Sequence, residues 1–124
     1  MRIHGKEIGF SLTMGASAEI AKMCPDGDLK RIGELLDRPY AESIDFQVRL
    51  IEALNKGYAE EKKWEGESCD RLGQDELLSL SPQEFNSVAL EAMAAFNRDS
   101  QGEIDTVEPA GAKKNNAEGD ENSP

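Results

Sequence analysis

Histidine and tryptophan occur once each, cysteine twice, and the 14 Lys and Arg are outnumbered by 25 Asp and Glu. Each shortage excludes something. His4 has no obvious Ser, Cys or Asp partner beside it, so no nucleophile–base arrangement is written in the chain. Carboxylates abound, but abundance in an acidic chain does not single out an acid and a base. Gly5, Gly9 and Gly15 are spaced neither as a phosphate loop nor as a dinucleotide fingerprint. No residue set demands a particular reaction; the chain reads as non-enzymatic, with no cofactor.

The formal charge of −11 argues against nucleic-acid binding, which needs Lys and Arg to neutralise phosphates, and against anionic membrane surfaces. No apolar run is long enough for a signal peptide or a spanning helix, so a cytoplasmic protein is expected. Cys24 and Cys69 stand far apart and outside any CxxC pair. They read as reduced, structural thiols, a disulfide being the lesser reading.

What is present divides the chain in two. Residues 1–96 carry periodic apolar positions; 97–124 are almost entirely polar, small or acidic, and bury too little to offset the entropy of ordering. One folded domain over 1–96 and a flexible acidic tail over 97–124 are expected. Ile3, Ile8, Phe10 and Leu12 around a Gly-containing interruption predict a short β-hairpin. Ala16, Ile20 and Met23 predict a first helix with Thr13 or Ser17 as cap. Leu29, Ile32, Leu35 and Leu36 predict a second, opened by Asp26 or Asp28 and ended at Arg38-Pro39.

The longest helix is expected to begin with Pro39 in its first turn and Asp37 near the cap, and to fray through 60–65. Its apolar face runs through Tyr40, Ile44, Val48, Ile51, Leu54 and Tyr58, with Phe46 and Leu50 widening it. One helical turn or two is expected across 75–80. Ser81-Pro82-Gln83-Glu84 is a capping box that opens a final helix bearing Phe85, Val88, Ala89, Ala92 and Phe96. The fold class is α+β: an N-terminal hairpin packed on four to five helices, with a disordered acidic C-terminal tail.

Three candidate sites follow. Tyr40, Phe46, Leu50, Tyr58, Trp64 and Met93 exceed what one helix contact requires, and aromatics and methionines suit a groove that receives another helix. Residues 97–108, NRDSQGEIDTVE, overlay the calcium loop of an EF-hand: Asn97, Asp99 and Gln101 as first ligands, Gly102 at the turn, Asp105 ninth and Glu108 twelfth. Asn97 and Gln101 lower the ligand charge, and Pro109-Ala110-Gly111 removes the exiting helix. Finally, Ala112-Lys113-Lys114 is encodable as GCA AAA AAG, which contains the slippery heptamer A-AAA-AAG.

The hairpin MRIHGKEIGFSL, the helix GASAEIAKM, the helix SPQEFNSVALEAMAAF and the acidic tail together resemble the tail assembly chaperones of long-tailed bacteriophages and prophages. The resemblance covers about residues 1–108 in layout. It implies a non-enzymatic protein of the bacterial host cytoplasm that binds the tape-measure protein and recruits tail-tube subunits, with self-association compatible. It also implies a longer product made by −1 frameshifting, for which Ala112, Lys113 and Lys114 are the candidate point. A calcium-binding module on 97–108 is the alternative reading, and an adaptor subunit of another complex a third.

Overall fold

In the computed structural model, which describes residues 1–100, the chain opens on a hairpin of two-residue strands, β1 (Arg2–Ile3) and β2 (Lys6–Glu7). They pair antiparallel, Arg2 with Glu7 and Ile3 with Lys6. His4 (φ 51°) and Gly5 (φ 78°) make the turn, both in the left-handed region that a two-residue hairpin loop of the right twist requires. Strands this short do not persist alone. The hairpin is held from outside: the Glu76 carboxylate accepts from Lys6 Nζ and pairs with His4 Nδ1, both at 2.7 Å. Beneath it Ile3, Ile8 and Phe10 are buried.

Among the described residues five α-helices follow. α1 (Met14–Met23) is capped by Thr13, whose hydroxyl accepts the Ala16 N–H at 3.1 Å, and it buries Ala16 and Ile20. Asp28 accepts from the Lys30 N–H and starts a tight turn, Leu29–Arg31, that runs into α2 (Ile32–Leu36). α4 (Gln74–Leu78) is a single short piece. α5 (Pro82–Ser100) opens on the expected capping box: Ser81 Oγ accepts the Glu84 N–H at 3.2 Å and Glu84 Oε1 the Ser81 N–H at 3.1 Å.

The longest helix, α3 (Tyr40–Trp64), lies at the centre and packs against α1, α2, α4 and α5. It buries Phe46, Val48, Leu50, Ile51, Ala53 and Leu54, an arc too wide for one contact because four neighbours surround it. Fully burying an Ile, Leu or Phe is worth roughly 1.5–3 kcal/mol, against about 0–1 for an exposed ion pair. The core therefore decides stability, led by Ile20, Ile32, Leu54, Leu77 and Phe96, each fully enclosed.

Three expected boundaries move. Pro39 takes the cap position of α3 with no side-chain bond there, so Asp37 is not its cap. Instead of fraying at 60–65, α3 runs to Trp64 and closes in a Schellman motif, with Gly66 N–H on Lys63 O (3.0 Å) and Glu67 N–H on Lys62 O (2.8 Å). Gly66 supplies the φ of 83° that this ending needs. Lys62 and Lys63 sit favourably at the negative end of the helix dipole.

α5 likewise continues through 97–100, which were expected to belong to the tail. Its last turn is tied down: Asp99 Oδ2 accepts the Leu12 N–H at 2.9 Å, and Phe96 and Ser100 are buried. The remainder of the expected acidic tail, with Gln101, Asp105, Glu108 and the frameshift point Ala112, Lys113 and Lys114, lies outside the described residues.

Candidate functional site

One small residue on α3, Gly57, determines how the N-terminal segment meets it. A side chain at Gly57 would bring its first carbon to 2.5 Å from the Ser11 carbonyl oxygen and 3.0 Å from Thr13 Oγ1. The Ser11 N–H donates to the Leu54 carbonyl at 3.0 Å across the same contact. Residues 11–13 therefore lie directly on the helix, and the start of α1 is held beside the last turns of α3.

Between these elements runs a groove of about 500 Å³. Small residues line it, Gly15, Ala16, Ala53 and Gly57. Met14 from α1 and Trp64 from α3 also line it, with 86% and 88% of their surface exposed. Ala53, Gly57, Glu60, Glu61 and Trp64 recur at helical spacing, which puts them on one face of α3.

The remaining lining is charged. Lys56 Nζ sits 2.8 Å from Glu19 Oε2, a pairing that raises the Lys56 pKa. Glu61 accepts the Ser11 hydroxyl at 2.6 Å, and Glu60 follows Lys56 by one turn. Three carboxylates thus face one ammonium. The groove thus offers apolar contact bounded by net negative charge, which suits recognition of a partner surface.

The six residues expected to form a partner groove are not brought together. Trp64 lines the groove described above. Tyr40, 77% exposed, stands at the other end of the same 25-residue helix, about 36 Å away at 1.5 Å per residue. Phe46 and Leu50 are core residues, so a charged substitution at Phe46 would break the fold before it tested binding. Tyr58 is half-buried, packed over Gly9, where a side-chain carbon would fall 2.5 Å from its ring. Met93 is partly buried against the core.

Asn97 and Asp99, proposed as the first calcium ligands, occupy the last turn of α5. Asp99 is engaged by the Leu12 N–H and by Arg98 Nε at 2.7 Å, and its pKa is lowered, chiefly by Arg98. Among the described residues no group of three or more His, Cys, Asp or Glu is placed to hold a metal ion, and no helix is long and apolar enough to cross a membrane. Cys24 and Cys69 are free thiols; burial raises the pKa of both.

Sequence reasoning missed Met14 and the carboxylates around it. The signal was available for Met14: it falls off the Ala16–Ile20–Met23 stripe, so burying that stripe turns it outward. Compared with protein-family models, with curated proteins and with solved structures, the chain matches none.

Proposed function

We propose that this chain is a tail assembly chaperone of a long-tailed phage or prophage, acting in the bacterial host cytoplasm. It binds the tape-measure protein, tail-tube subunits or both while they are unassembled. The layout of hairpin, helices and acidic C-terminal segment supports this reading through the resemblance described above. The structural observation that carries it is the groove between α1 and α3, where two of the most exposed large apolar side chains, Met14 and Trp64, line one depression. Aromatic and methionine surfaces of this kind suit the apolar face of a partner helix.

A helical rod bound along such a groove would be shielded from self-association, and the formal charge of −11 would keep the complex soluble. A −1 shift at Ala112–Lys114 would tether whatever the longer product carries.

Co-expression with a tape-measure fragment and, separately, with the tube subunit tests the proposal. Stable co-purification with either is expected. Failure with both, from a chain whose circular dichroism shows it folded, would reject it. An A-AAA-AAG heptamer at codons 112–114 with an open overlapping frame is the expected genetic companion.

A further inference from the structure

The sign of the groove narrows what it accepts, and the argument rests on the binding role just proposed. Its lining carries Glu19, Glu60 and Glu61 against Lys56 alone, and Lys56 is already paired with Glu19. Glu60 and Trp64 are one turn apart on α3, so a carboxylate and an exposed indole face share one stretch of surface. A cation is attracted to the face of an indole, most strongly of the aromatic rings, and by a neighbouring carboxylate.

We infer that the groove receives a basic amphipathic helix. A bulky apolar side chain of that helix seats between Met14 and Trp64, over the small residues Ala16, Ala53 and Gly57. A Lys or Arg about one turn away lies over the Trp64 ring and faces Glu60.

Charge also ranks the rival occupants. The end of α5 is bound to Leu12, next to the lining residue Thr13, and residues 101–124 follow it in the sequence. They carry Glu103, Asp105, Glu108, Glu118, Asp120 and Glu121 against Lys113 and Lys114, the same sign as the groove. A second copy brings a further formal charge of −11. Both meet like charge, which suppresses docking. A small apolar ligand would be poorly enclosed, since binding sites of that class bury most of the ligand and both Met14 and Trp64 are open to solvent.

Trp64 is the only tryptophan, so intrinsic fluorescence reports on the groove directly. The full chain is titrated at low salt with two designed peptides of about 20 residues, long enough to hold a helix, sharing one leucine stripe. One has a Lys/Arg polar face and the other a Glu face. The basic peptide is expected to shift Trp64 emission to shorter wavelength and to bind at least about tenfold more tightly than the acidic one. Glu60→Lys should weaken it by about fivefold. Met14→Asp should abolish the shift; Met14 is so exposed that the fold should survive, as circular dichroism will show. Trp64→Ala, followed by anisotropy of a labelled basic peptide, gives an independent arm and should also lose binding.

Equal affinity for the two peptides, or binding without a change at Trp64, would overturn the inference. So would a Trp64 already shielded from acrylamide in the chain alone, which would assign the groove to residues 101–124, or shielding that grows with protein concentration, which would assign it to a second copy. Capture of a tape-measure fragment by a chain indifferent to peptide charge would defeat this inference alone. Peptide discrimination without capture of either tail protein would defeat the chaperone reading alone.

Discussion

Asn55 is a polar side chain with no exposed surface in the middle of the longest helix. It is tolerated because both ends of its amide are used: Nδ2 donates to the Gly9 carbonyl at 2.9 Å, and Oδ1 accepts the Leu72 N–H at 2.8 Å. One residue thereby fastens the N-terminal segment and the loop before α4 to α3. Asn55→Ala removes both bonds and strands a buried donor and acceptor, so a loss of about 2–4 kcal/mol is expected. Urea unfolding checks this, and an unchanged midpoint would mean that water replaces the amide at no cost. Nothing in the sequence marks Asn55, because an asparagine between Leu54 and Lys56 reads as a solvated position. Its role depends on Gly9 and Leu72, 46 and 17 residues away. Gly57 was hidden for the same reason: the atoms that forbid a side chain there belong to Ser11 and Thr13.

At the scale of the element, local chemistry was legible and tertiary chemistry was not. The capping box of α5 and the cap of α1 need only residues within one turn; the box forms as read, and of the two caps open to α1, Thr13 is the one used. The breadth of the α3 stripe was also read correctly, but a wide apolar arc fits either a spare groove or a helix with many neighbours. Packing by α1, α2, α4 and α5 decides for the second, which is why Phe46 and Leu50 are core residues. The end of α5 was misplaced because the Asp99–Leu12 bond that holds it spans 87 residues.

The hairpin depends on another such long-range tie, and this gives it a pH dependence. Lys6 first, then His4, hold the Glu76 carboxyl below its usual pKa. Between the folded and unfolded values the unfolded chain binds the extra proton. Stability is therefore complete above the unfolded value and is lost as pH falls through the folded one. Glu7, Glu34 and Asp99 are shifted in the same direction, so acid unfolding should set in below about pH 4. Glu76→Gln should flatten that slope and speed hydrogen exchange at the Ile3 and Lys6 amides. Exchange at the wild-type rate would mean that the hairpin holds without the Glu76 tie.

For the molecule as a whole, the formal charge of −11 makes folding and binding respond to salt with opposite signs. Folding gathers the carboxylates into a small volume, and their mutual repulsion opposes the compact state. The ion pairs seen at the surface, such as Arg31–Glu34, Arg38–Glu42 and Arg49–Asp45, join exposed groups, so screening them costs little. Raising NaCl from about 0.01 to 0.2 M shortens the screening length from about 30 Å to under 10 Å. Net repulsion should weaken more than the ion pairs do, and Tm should rise by a few degrees. Attraction between the groove and a basic helix has the other sign, so the affinity for the Lys/Arg-faced peptide should fall over the same range. Thermal melts and fluorescence titrations at matched salt read both effects in one protein. A Tm that falls along with the affinity would show that ion pairs rather than the apolar core carry the fold. An affinity indifferent to salt would strip Glu60 and its neighbours of any part in choosing the partner.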